Sequence, residues 1–167
     1  MTSTFHKRTS VRMRGGVCMY TAQEIAKYVI RFCNDRNYSI SNLKLQKILY
    51  FIQAEFLIET EQPCFEDRIE AWDFGPVVPN VYFEYRVYGG SNIPCTTTSQ
   101  MIRTFSRRVR ELIDGIVDQC AQYSASTLVD ITHSQSPWID AYNRPGHNNP
   151  ITNESIIEYF KQVSTVD

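Results

Sequence analysis

The sequence predicts a mainly α fold with a small β element (α+β), built as a compact helical domain around one buried central helix. Three observations predict it. First, Ser41–Glu59 (SNLKLQKILYFIQAEFLIE) is apolar on nearly every side when wound at 3.6 residues per turn. Leu45, Ile48, Leu49, Ile52 and Phe56 form one face, and Leu43, Tyr50, Ala54, Leu57 and Ile58 cover much of the other. Polar residues remain in two narrow seams, Lys44 with Glu55 and Gln46 with Gln53. A helix of this kind is normally enclosed by others, and at roughly 27 Å, with its charges, it is too short and too polar to span a membrane. Second, amphipathic helical stretches lie on both sides of it. Third, strand-like alternation is confined to a few residues near Ile69.

The elements follow in order. Thr21-Ala22-Gln23-Glu24 is a capping box and starts a helix that runs to about Asn34, with Ile25, Tyr28, Val29 and Phe32 as its buried stripe. Asn34–Asn37 is turn chemistry, and Ser39 or Ser41 caps the central helix. Arg68–Trp72 reads as a short strand, paired as a hairpin with the extended segment at residues 93–97. Between them, Asp73-Phe74-Gly75-Pro76 is a turn. Pro79 sits well as the first residue of a helix to about Tyr88, with Val81, Tyr82 and Tyr85 inward, and Gly89-Gly90 stops it. A second long helix is expected from about Ser99 to Gln122, with Ile102, Phe105, Val109, Leu112, Ile113, Ile116 and Cys120 as its apolar stripe. Ser124 or Ser126 caps a short helix through Ile131. Ser136 and Pro137 then open a turn of helix carrying Trp138, Asn143–Pro150 is a loop, and Thr152 caps a last helix over Asn153–Val163.

Composition bounds the function. The chain has 167 residues, 43% hydrophobic and 13% aromatic, enough to bury a real core in one domain spanning residues 19–163. Residues 1–18 carry Lys7, Arg8, Arg12 and Arg14 with no acid and read as a flexible basic leader, or alternatively as a basic arm; residues 164–167 read as a tail. A formal net charge of -1 argues against wholesale nucleic-acid binding. Five scattered cysteines, Cys18, Cys33, Cys64, Cys95 and Cys120, with no C-x-x-C, read as free thiols in a reducing cytoplasm.

No nucleotide-binding loop, nucleophile elbow or zinc signature is present, and His6, His133 and His147 are isolated. Asp73 is the acid expected to be partly buried, in a capping or turn-bonding role rather than a catalytic one. No catalytic residue, metal or cofactor is expected, and the chain does not read as an enzyme. Exposed aromatic and arginine side chains dominate protein interfaces. On that ground Tyr82, Phe83 and Arg86, and the row Arg103, Arg107 and Arg110, are the candidate partner contacts. The bland reading of the arginine row is a solvated face with Arg107–Glu111 and Arg110–Asp114 pairs. Lys44 and Lys47 are expected to reach solvent through the seams of the central helix. Trp72, Phe74 and Trp138 read as core.

Several blocks recur in a known order: Ser41–Gln53, then Ile69–Pro79 with Val81-Tyr82, then Ser124–Leu128 and Thr132–Trp138. Together they resemble the Panacea domain, the SocA-like antitoxin family that includes phage-associated GepA-type proteins. The resemblance runs from about Met19 to Phe160 and is carried by Leu45, Gln46, Tyr50, Trp72, Gly75, Pro76 and Trp138. It implies a mostly helical domain acting in the cytoplasm as the antitoxin of a toxin–antitoxin pair. The implied partner is a cognate protein toxin encoded by an adjacent gene, neutralised by direct binding. The alternatives it leaves are a proteolytic adaptor that delivers the toxin to a cytoplasmic unfoldase-protease and, less favoured, a DNA-binding autorepressor.

Overall fold

The computed structural model describes residues 20–98, 102 and 104–165. Its first helix, α1 (Ala22–Asp35), opens on the expected capping box: the Thr21 hydroxyl accepts from the Glu24 amide at 3.1 Å, and the Glu24 carboxylate accepts from the Thr21 amide at 2.8 Å. The next, α2 (Asn42–Thr60), is capped by Ser41 and ends at Glu61, whose φ of 58° is left-handed. Fourteen of its 19 residues are buried. Helices α1, α3 (Pro79–Tyr85), α4 (Arg107–Ala121), α5 (Ala125–His133) and α7 (Asn153–Ser164) all pack on α2. The central rod is therefore central, because only enclosure can hide apolar residues spread around its whole circumference.

The other helices are one-sided. α4 buries Val109, Leu112, Ile113, Ile116, Val117 and Cys120. It begins later than periodicity suggests. Phe105 precedes the helix, and its ring lies edge-on to Tyr20 at 4.8 Å and Tyr28 at 5.3 Å, while Ser106 supplies the cap. Its apolar spacing mimics a helical turn, but the two tyrosine rings draw it into the core from an extended segment. Residues 99–101 and Arg103 lie outside the described residues. The expected Arg107–Glu111 pair forms at 2.9 Å. Asp114, however, accepts a hydrogen bond from the Tyr28 hydroxyl at 2.7 Å rather than pairing with Arg110.

The β element is a three-stranded antiparallel sheet in the order β2–β1–β3, formed by β1 (Ile69–Trp72), β2 (Gly75–Val77) and β3 (Pro150–Ile151). The expected hairpin partner of β1, residues 93–97, is not in it. Its Ile93 amide bonds instead to the Ile40 carbonyl at 2.8 Å. The reason is distance along the chain. Asp73-Phe74 returns β2 directly onto β1, pairing Trp72 with Gly75, and a two-residue loop closes at far less entropy than one of some twenty residues. Pro76 is tolerated because β2 is an edge strand. β3 was expected to be the end of a loop; Ile69 pairs with Ile151 there.

After α3, residues Arg86–Tyr88 tighten into a 3-10 turn, so the expected helix to Tyr88 ends in a different winding. Helix α6 (Ser136–Asn143) starts one residue earlier than expected, with Gln135 at the N-cap position. α7 buries Ile156 wholly, with Ile157 and Phe160 half-buried.

Candidate protein-binding surface

A line of polar side chains on α2 points inward and fastens the sheet to the helices. The Gln46 carboxamide oxygen accepts from the Val78 amide at 2.9 Å, and its nitrogen donates to Asn42 at 2.9 Å. Lys47 donates from Nζ to the Pro76 carbonyl at 2.9 Å. The Tyr50 hydroxyl donates to Gln135 at 2.9 Å. Gln53 accepts from the amides of Cys64 and Phe65 and donates to the Phe65 carbonyl at 3.0 Å. Buried polar groups persist when each has a partner, and here each is matched to backbone or to another buried amide.

This line corrects one expectation. Lys47 is 0% exposed and Lys44 only 6%, so neither reaches solvent through a seam. The seams face β2 and the neighbouring helices, which close them. Burial alone lowers the Lys47 ammonium from 10.5 to about 7. The close approach fixes Gly75 as well. With φ at 98°, its position would put a Cβ 2.7 Å from both Lys47 Cε and Thr132 Oγ1. Gln46, Lys47, Gly75 and Pro76 thus form one clasp between α2 and β2.

The clasp holds out a set of aromatic rings. Phe74, at the tip of the β1–β2 turn, is 66% exposed, and Phe83 on α3 is 52% exposed. Trp72 lies 4.9 Å from Tyr82 and 6.1 Å from Phe83, centroid to centroid, and Tyr82 lies 5.5 Å from Phe83. The Arg86 guanidinium sits over the Phe83 ring at 5.3 Å. From the other side, Trp138 on α6 donates from Nε1 to the Trp72 carbonyl at 2.9 Å and stacks at 4.5 Å on Tyr142, which is 42% exposed. The Tyr142 hydroxyl donates to Asp73 at 2.9 Å. His133 also stacks on Trp138, at 4.0 Å, its Nε2 buried with no hydrogen-bond partner. The rings are therefore linked, ring to ring or through the Trp72 backbone, from His133 to Arg86.

The sequence-derived contacts divide between two places. Tyr82, Phe83 and Arg86 belong to this surface. Arg107 and Arg110 are exposed on α4, which packs on α1 and α2, whereas α6 packs on β1 and α7. The structure does not bring the arginine row and the aromatic rings into one cluster, and Arg103 lies outside the described residues. Two expectations are overturned at the turn. Phe74 is exposed rather than core, because a two-residue turn has no sheet face to hide it. Asp73 is exposed too, although it keeps a hydrogen-bonding role. Trp72 and Trp138 are half-buried, as the floor of the surface. Tyr142 was missed; its spacing four residues after Trp138 on one helix was the available signal.

Among the described residues, no group of three or more His, Cys, Asp or Glu side chains could hold a metal ion, and no helix is long and apolar enough to cross a membrane. Cys33, Cys64 and Cys120 are free and buried.

Comparison with known proteins places these features. Antitoxin SocA of Caulobacter vibrioides (strain NA1000 / CB15N) is 34% identical over 119 residues, which span 65% of this chain and 63% of that protein. No solved structure matches significantly. The family described as "Antitoxin SocA-like, Panacea domain" matches residues 45–139, more than half of the chain, from within α2 through the clasp and the rings from Trp72 to Trp138. The chain is a member of the SocA-like Panacea-domain family.

Proposed function

We propose that the chain is an antitoxin that neutralises a cognate protein toxin by binding it directly, without chemistry of its own. The observation that carries this reading is the exposed aromatic surface held out by the clasp, with Phe74 and Phe83 more than half exposed at its edge. Large rings on a rigid support, beside an arginine, are the side chains that supply most binding energy at protein interfaces. The similarity to an antitoxin over 65% of the chain supports the role. The reading has it working in the reducing cytoplasm, which suits buried, unpaired thiols.

The test is co-expression with the product of the adjoining gene. That product should arrest growth alone, and this chain should restore growth and co-purify with it in a stable complex. A neighbour that is harmless alone removes the basis of the reading. Rescue that depends on an unfoldase-protease, with a shortened toxin half-life, would replace direct neutralisation by delivery for degradation.

A further inference from the structure

The charges around the aromatic surface are unevenly satisfied. Its acids are occupied within the chain. Glu70 accepts from Trp72 Nε1 at 2.8 Å and pairs with Arg68 at 3.3 Å. Asp73 accepts from Tyr142. Asp67 accepts from the Ala22 amide and from Asn80, and Glu84 is turned toward Gln23 of α1. Asp140 stands two residues from both Trp138 and Tyr142 on α6, and so projects from the other side of that helix. The cation is different. Arg86 is exposed and rests on the Phe83 ring, and no described carboxylate pairs with it. A guanidinium held over an aromatic ring makes no hydrogen bond to it and so keeps N–H donors for a carboxylate.

We infer that this face recognises a protein segment that presents a large apolar side chain next to an aspartate or glutamate. The apolar group packs on Phe83 beside Trp72 and Tyr82, and the carboxylate takes the edge of Arg86. The inference rests on the antitoxin reading and names the chemistry its partner must show. Complementarity of this kind selects the partner and speeds encounter, while the rings supply most of the affinity.

The experiment measures binding of the adjoining gene's product to the full chain by calorimetry, over a range of NaCl concentrations. Arg86→Glu should weaken binding at least 10-fold and Arg86→Ala less so. Phe83→Ala should weaken it at least 10-fold, while urea unfolding of the free variant stays cooperative, since the ring is half exposed and its loss leaves the core intact. Arg107→Glu, the same charge reversal on α4, should leave affinity unchanged. Wild-type binding should weaken with salt more steeply than that of Arg86→Ala. Reversal of the carboxylate that cross-links nearest Arg86 should restore binding to Arg86→Glu. If the wild-type chain binds and neutralises its neighbour while the Arg86 and Phe83 variants match it, this inference falls and the antitoxin reading stands. If the wild-type chain does not bind, both fall.

Discussion

Replacing Lys47 with methionine should stabilise the protein at neutral pH and abolish most of its pH dependence between pH 7 and 9. The Lys47 amine is fully buried between β2 and α5, its hydrogen bond goes to a backbone carbonyl, and no described carboxylate pairs with it. Burial lowers its ammonium from 10.5 to about 7. The unfolded chain therefore holds this proton over a range where the folded chain has released it. Stability then rises with pH through that window, by about 1.4 kcal/mol per pH unit, and this contribution is lost as pH falls toward 7. Relative to an unshifted amine the cost at pH 7 and below is about 5 kcal/mol. Methionine is unbranched and of similar length, so it fills the same channel. It leaves the Pro76 carbonyl without its donor, which costs about 1–3 kcal/mol. The net gain at pH 7 is about 2–4 kcal/mol, shrinking toward zero by pH 9. The upper limit of the window comes from the thiols. Burial pushes Cys33 up to about 11 and Cys120 up to about 12, from 9.0, so above pH 9 the unfolded state deprotonates first and stability declines. Urea unfolding under reducing conditions at pH 7, 8 and 9 is the assay. A wild-type stability that is flat or falling from pH 7 to 8.5, or a Lys47→Met protein less stable than wild type at pH 7, would refute the reasoning.

Other consequences are more local. Gly75→Ala combines a left-handed φ of 98° with contacts at 2.7 Å, and should lower stability by about 2–4 kcal/mol in the same assay; a loss below about 1 kcal/mol would mean the clasp yields easily. Tyr50→Phe strands the buried Gln135 oxygen and should lower the urea midpoint by the equivalent of about 1–3 kcal/mol, whereas an unchanged midpoint would show that the bond is dispensable. Of the four described cysteines, half-buried Cys95 should be the one alkylated quickly by iodoacetamide in the native protein. Fast native labelling of Cys64 or Cys120 by mass spectrometry would contradict their burial.

Helix starts were readable because a cap is a local object. Thr21, Ser41, Ser124 and Thr152 each bond an amide three residues ahead, and nothing distant is needed to see it. The late start of α4 was not readable, because the ring of Phe105 is placed by Tyr20 and Tyr28, the former 85 positions away in the chain. The strands failed for another reason. β2 and β3 have three and two residues, too few for an alternating pattern, and their pairing depends on which neighbour reaches β1 first. At the surface, Tyr82, Phe83 and Arg86 were visible as aromatic and cationic residues on one short helix. Phe74 and Tyr142 join them only because the turn and α6 meet at Trp72.

By itself the sequence determined that one helix must be enclosed, since apolar residues around its full circumference leave no solvent face, and it determined where most helices begin. Only the tertiary structure decided what each polar residue of that helix does. An amine on a flexible stem reads as a surface group from sequence. It becomes a buried donor when a glycine with no side chain lets the next strand close over it. In the same way, a phenylalanine between an aspartate and a glycine reads as core until a two-residue turn leaves it in solvent.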